Sequence, residues 1–269
     1  MAERVALITG ASSGIGEALA REYAGRGFSL SLLARRIERL ERLKAELSSG
    51  GRGVLALGCD VSRDGDVEAA VAQTLSAFGR LDVVIANAGI GVGAVFSEMS
   101  LEDYRRVFET NFFGVIRTAK AVLPALMESK GCFGAVGSVN GFLAMPGFSA
   151  YCASKYALRG LLETMQAELF PTGVSVTHIA PGFVESEIRL LDNAGHLKPD
   201  AKDTAPAWLV MPAKTAARDI ANAVEARKRE AVITAHGKFA VVLAKHCSGL
   251  MAFGARRAGQ KMYDRLVNK

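Results

Sequence analysis

The chain has 269 residues, half of them hydrophobic, and a formal net charge of +6, enough for one large α/β domain or two small ones with a sizeable buried core. Its four cysteines are far apart and form no C-x-x-C, and its four histidines (His178, His196, His236, His246) form no H-E-x-x-H, so neither a disulfide framework nor a metal site is expected and the histidines read as structural or surface residues. No secretory signal is visible before Val5, and no apolar run reaches the ~20 residues of a spanning helix, so a reduced, cytoplasmic protein is expected.

Residues 4–9, with the apolar run Val5-Ala6-Leu7-Ile8 and glycine just beyond, read as a short buried strand. The glycine-rich turn Thr9-Gly10-Ala11-Ser12-Ser13-Gly14-Ile15-Gly16 follows, and a helical pattern begins at Glu17. Strand, glycine turn and helix in that order make a phosphate cradle, in which glycine admits the pyrophosphate and the helix N-terminus offers free N–H groups. A second strand is expected over 29–34. A ribose-binding acid belongs at its end in an NAD enzyme, but the sequence reads Ala34-Arg35-Arg36. Two guanidiniums in place of the acid favour a 2′-phosphate, hence NADP(H).

A third strand is predicted over 53–59, ending at Asp60-Val61. Asp60 could meet an adenine amino group, and Ser62 could cap a helix over 63–78. A fourth strand over 81–86 runs into Asn87-Ala88-Gly89. The helical stretch 101–129 carries Asn111 among phenylalanines, an amide that needs partners and reads as either a structural bracket or part of a proton path. A fifth strand over 132–139 delivers Ser138, and a loop over 140–148 leads to a helix over 151–170. Tyr151 and Lys155 fall one turn apart on one face of it. An ammonium ~4 Å from a phenol is worth roughly 4 kcal/mol at an effective dielectric of ~20, about three pKa units, which would move the tyrosine toward neutrality as a general acid–base. A sixth strand over 174–179 ends at Ala180-Pro181-Gly182. Residues 183–211 lack a period and read as a substrate lid, a helix covers 212–228, and a short seventh strand covers 231–234. The alternation predicts a single doubly wound Rossmann-type domain over 1–235, a parallel seven-stranded sheet with helices on both faces. Gly10, Ala34, Asp60, Asn87, Ser138 and Pro181 all lie at carboxyl strand ends, where such sheets bind ligands.

Residues 236–269 form a C-terminal helical extension. From Arg227 onward ten Lys and Arg face two acids, so the basic character belongs to the tail. Phe239, Val242, Leu243, Leu250 and Phe253 are expected near one face of a helix, which could pack in a homodimer, cover the cleft or lie on an anionic membrane. Packing or dimerisation is the favoured reading. The scattered basic residues form no nucleic-acid module.

The T-G-A-S-S-G-I-G at 9–16, A-N-A-G at 86–89, Asn111, Ser138, Y-C-A-S-K at 151–155 and P-G at 181–182 together resemble the short-chain dehydrogenase/reductase family over residues 4–234. The resemblance implies Tyr151 as acid–base, Lys155 on the nicotinamide ribose and lowering the tyrosine's pKa, Ser138 on the substrate oxygen, and Asn111 anchoring a water next to Lys155. It implies Gly10, Ser12, Ser13, Gly14, Ile15 and Gly16 at the pyrophosphate, Arg35 and Arg36 at the 2′-phosphate, and Asp60 and Val61 at the adenine. Asn87, Ala88 and Gly89 would lie at the adenosine ribose, and Pro181, Gly182, Val184 and Ser186 at the nicotinamide.

Two departures stand out. Ser13 replaces a basic residue found in some NADP members, and the last strand ends Thr234-Ala235-His236-Gly237 where many tetrameric members have an acidic-glycine-glycine turn. The expected function is an NADP(H)-dependent oxidoreductase interconverting a ketone or aldehyde and an alcohol, on a lipophilic substrate suggested by Phe142, Leu143, Met145 and Phe148. The alternative is a non-catalytic nucleotide-binding regulator or scaffold on the same fold.

Overall fold

The computed structural model describes residues 3–48, 51–189 and 205–267. The strands are β1 (Val5–Thr9), β2 (Ser29–Ala34), β3 (Val54–Gly58), β4 (Val83–Ala86), β5 (Cys132–Val136), β6 (Ser175–Ala180) and β7 (Glu230–Val232). They form one parallel sheet in the order β3-β2-β1-β4-β5-β6-β7. Winding reverses between β1 and β4, which opens a crevice at the carboxyl edge beside the glycine turn.

Side chains alternate across the sheet with a period of two. In β1, Ala6 and Ile8 enter one core and Val5 and Leu7 the other. The first core is closed by α1 (Gly14–Gly25), α2 (Ile37–Leu47) and α7 (Ala213–Glu225), through residues such as Leu19, Tyr23, Leu40 and Ile220. The second is closed by α3 (Asp66–Phe78), α5 (Gly114–Ser129) and α6 (Ser149–Leu169), through Val71, Val122, Leu158 and Leu162. Each such buried aliphatic side chain contributes roughly 1.5–3 kcal/mol.

Several local expectations are corrected. Ser62 does not cap α3: it donates its hydroxyl to Asp60 Oδ1 in a tight turn, and the helix starts four residues later, at Asp66, behind Gly65 in the left-handed conformation. β5 stops at Val136, and Ser138 instead heads a short turn over Val139–Gly141, accepting from the Asn140 N–H. The stretch 101–129 runs as α4 (Leu101–Phe108), one wide i→i+5 turn over Glu109–Phe113, and α5. The tail is two helices, α8 (Ala235–His246) and α9 (Ser248–Val267), broken at Cys247, so its apolar residues do not share one helical face. Phe239, Val242, Leu250 and Phe253 are exposed. Phe142 is buried against Ala180 and Val241 of α8, which removes it from the side chains that could meet a substrate. No helix among the described residues is long and apolar enough to cross a membrane.

Candidate active site

The glycine turn is drawn tightly against the end of β4. The Thr9 hydroxyl accepts from the N–H groups of Asn87 and Ala88, both at 3.0 Å. The Asn87 side-chain amide donates to the carbonyls of Thr9 and Gly10. Close approach is what excludes a side chain at Gly16, whose Cβ would lie 2.3 Å from the Gly10 carbonyl oxygen. Gly10 and Gly14 adopt positive φ (66° and 57°), a region costly for other residues. Ser186 packs over Gly14 and Ile188 over Gly91, so the turn after β6 spans the crevice from the glycine loop to the segment after β4.

At the end of β2 the two adjacent arginines part. Arg35 is exposed. Arg36 donates from Nη2 to Ser13 Oγ at 2.7 Å, from Nε and Nη2 to Ser12 Oγ, and from Nη1 to Glu187 Oε2 at 2.8 Å. Arg39, three residues on and therefore on the same helix face, donates from Nη1 to Glu187 Oε1 at 2.7 Å. Burial raises the Glu187 pKa, but the Arg39 and Arg36 guanidiniums outweigh it and hold the carboxyl below its usual value. Asp60 is tied up locally, its carboxylate accepting from both the N–H and hydroxyl of Ser62, while Val61 is buried against Gly114.

Tyr151, Lys155, Ser138 and Asn111 converge on the other side of the crevice. Lys155 is 4 % exposed and donates from Nζ to the Val136 carbonyl at 2.9 Å. Burial lowers its pKa from 10.5 to about 8. Its Nζ lies 5.6 Å from the Tyr151 ring centroid. The expected lowering of the Tyr151 pKa is not found: burial raises it, while the Ser138 hydroxyl and the Arg189 guanidinium pull the other way. The lysine does not lower it because, with its own pKa brought down to about 8 by burial, it has lost its charge before the phenol titrates.

Asn111 is fully buried and acts as a bracket. Its Oδ1 accepts from the Ile90 N–H, and its Nδ2 donates to the Ile90 carbonyl and to Ser154 Oγ, tying the segment after β4 to α6. A Cβ on Gly89 would meet both Asn111 Oδ1 (3.2 Å) and Lys155 Nζ (3.8 Å), so glycine keeps that corner open.

Pro181 accepts from the Val139 N–H, and Val184 is buried opposite Met211. His236 Nε2 accepts from the Phe183 N–H at 3.0 Å; a backbone amide can only donate, so the ring proton sits on Nδ1. Gly182 fits beneath it, where a Cβ would lie 2.4 Å from Nε2. Of the expected lid, residues 190–204 lie outside the described residues, as does His196. Thr9, Arg39, Ser154, Glu187 and His236 were not singled out for the site by sequence. Thr9 and Ser154 lie inside the quoted motifs, and Arg39 carried a signal in its i+3 spacing from Arg36.

A doubly wound sheet with a glycine turn at its reversal point and a Tyr–Lys pair at its carboxyl edge defines a nucleotide-binding oxidoreductase architecture. A family model described as short chain dehydrogenase matches residues 4–195. The chain belongs to the short-chain dehydrogenase/reductase family of oxidoreductases. It is 38% identical over 264 residues to 11-beta-hydroxysteroid dehydrogenase 1A of Arabidopsis thaliana, covering 94% of this chain and 74% of that one. It is 39% identical over 195 residues to human dehydrogenase/reductase SDR family member 7, covering 70% of this chain but 57% of the relative's length. Among solved structures, the short-chain dehydrogenase of Sphingobium yanoikuyae in complex with NADPH is 31% identical with a TM-score of 0.77, covering 93% and 95% of the two chains. A Burkholderia phymatum member in complex with NAD is 26% identical with a TM-score of 0.81, covering 90% and 92%.

Proposed function

We propose that this protein is an NADP(H)-dependent oxidoreductase that interconverts a lipophilic ketone or aldehyde with its alcohol, with Tyr151 as the acid–base. The observation that carries this reading is the buried Lys155 one turn from Tyr151, with Ser138 beside them. A buried ammonium with a backbone carbonyl for partner is costly to a fold, and such groups gather where chemistry needs them.

The residues present fit a phosphorylated dinucleotide. Gly10 and Gly14 take the backbone conformation of an anion-binding turn at the α1 N-terminus, and Arg36, Arg39, Ser12 and Ser13 form a cluster of anion donors next to it. Bound there, the nicotinamide cofactor supplies or accepts the hydride. Gly14, Ile15 and Gly16 would receive its pyrophosphate, Asn87 to Gly89 the adenosine ribose, Lys155 the nicotinamide ribose, and Pro181 to Val184 with Ser186 the nicotinamide.

In reduction Tyr151 gives its phenolic proton to the carbonyl oxygen, and in oxidation it takes that proton back. Burial keeps the tyrosine protonated at neutral pH, which suits the acid role. Ser138 Oγ already accepts from the Asn140 N–H, so its own proton is left to hold the substrate oxygen. Lys155, with a pKa of about 8, can return a proton to the tyrosine near working pH. Asn111 fixes α6 against the segment after β4 and so positions both. Half-buried Leu143 and Met145, exposed Phe148, and the similarity to a hydroxysteroid dehydrogenase support a steroid-like or long-chain ketone.

The test is NADPH consumption with a panel of lipophilic ketones by wild type and Tyr151→Phe. Turnover by the variant falls by ~10³-fold, within the range for a lost general acid, while NADPH binding stays largely intact, because the phenol is one of many proposed cofactor contacts. Retained turnover in Tyr151→Phe contradicts the mechanism.

A further inference from the structure

Glu187 bridges the two arginines beside the glycine turn. Its two carboxylate oxygens take one N–H each from Arg36 Nη1 and Arg39 Nη1, at 2.8 and 2.7 Å. Three further N–H groups of Arg36 go to the Ser12 and Ser13 hydroxyls, which orient the guanidinium along the glycine turn. Glu187 stands on the short turn Glu187–Arg189, one residue after Ser186 over Gly14 and one before Ile188 over Gly91. The same turn therefore touches the arginine pair, the glycine loop and the segment after β4. Arg189 ends it, donating to the Val184 carbonyl, with its guanidinium acting on Tyr151.

We propose that Glu187 is a specificity-determining residue, an internal carboxylate that competes with the cofactor's 2′-phosphate for Arg36 and Arg39. The inference rests on the NADP(H) reading above and goes beyond it. A phosphate dianion and the Glu187 carboxylate compete for the two guanidiniums, because the carboxylate already draws one N–H and part of the positive charge of each, and the two anions repel. A 2′-phosphorylated nucleotide displaces Glu187, whereas a nucleotide with a free 2′-hydroxyl leaves the pair intact. Glu187 thus lowers affinity for the phosphorylated cofactor below what the arginines alone would give.

The experiment titrates wild type, Glu187→Gln and Glu187→Ala with 2′,5′-ADP and 5′-AMP. The ratio of the two affinities isolates the 2′-phosphate from the general attraction of the newly freed arginine charge for any anion. In wild type 2′,5′-ADP binds more tightly, and in both variants the preference grows by roughly five- to tenfold, about 1–1.4 kcal/mol. If wild type prefers 2′,5′-ADP but the ratio is unchanged or falls in the variants, Glu187 does not compete and the proposal is overturned while the NADP(H) reading stands. If neither wild type nor the variants prefer 2′,5′-ADP, the NADP(H) reading fails and the proposal falls with it.

Discussion

Arg36 and Lys155 are both cations at the carboxyl edge of one sheet, and their surroundings differ. The Arg36 side chain is 40% exposed and meets two serine hydroxyls and a carboxylate. Lys155 is nearly sealed, donates to one backbone carbonyl, and has its pKa brought down to about 8. A half-exposed guanidinium with matched partners costs the fold little and is suited to grip an anion. A buried ammonium with a neutral partner costs several kcal/mol, and a fold keeps it where it serves the reaction. In the proposed function, the arginine side selects the cofactor and the tyrosine–lysine side performs proton transfer.

The largest effect should come from the sealed side. Lys155→Met is expected to lower turnover by ~10²-fold or more, as a lost proton-transfer partner. The same change should stabilise the fold at pH 7 by ~2 kcal/mol, since relief of the lowered pKa outweighs one lost hydrogen bond. The sign follows from linkage: the folded-state pKa lies below the free value of 10.5, so the unfolded chain binds more protons between about pH 8 and 10.5. Wild-type stability relative to Lys155→Met should rise across that window, with the full penalty present below pH 8. Denaturant unfolding of both proteins at pH 7 and pH 9.5 checks it, and a less stable variant at pH 7 would break the contrast.

A smaller effect belongs to the open side. Arg36→Ala should weaken NADPH binding by roughly 10- to 50-fold, the scale of a lost charge-assisted contact. It should leave NADH binding and thermal stability nearly unchanged. Equal loss for both cofactors would mean that Arg36 orders the glycine turn through Ser12 and Ser13 and does not read a phosphate.

Much of the fold was legible because burial writes itself into the strands. Runs such as Val5-Ala6-Leu7-Ile8 and Val83-Val84-Ile85-Ala86 are apolar on both faces, and only a sheet covered on both sides tolerates that. The site residues at strand ends followed from the same register. What stayed hidden depends on contacts distant in sequence. Glu187 lies 151 residues from Arg36, and His236 lies 53 from Phe183. Neither the two-helix tail nor the inward turn of Phe142 is encoded locally, since both are settled by packing of α8 against the segment after β5. The Tyr151 pKa was misjudged because the sequence fixes the lysine's spacing but not the burial that raises the phenol and lowers the lysine.

The most direct test of the cofactor claim is fluorescence titration of the purified wild-type protein with NADPH and NADH side by side at fixed ionic strength. NADPH is expected to bind at least ~10-fold more tightly, about 1.4 kcal/mol. Equal binding, or tighter NADH, would contradict the assignment of Arg36 and Arg39 to a 2′-phosphate.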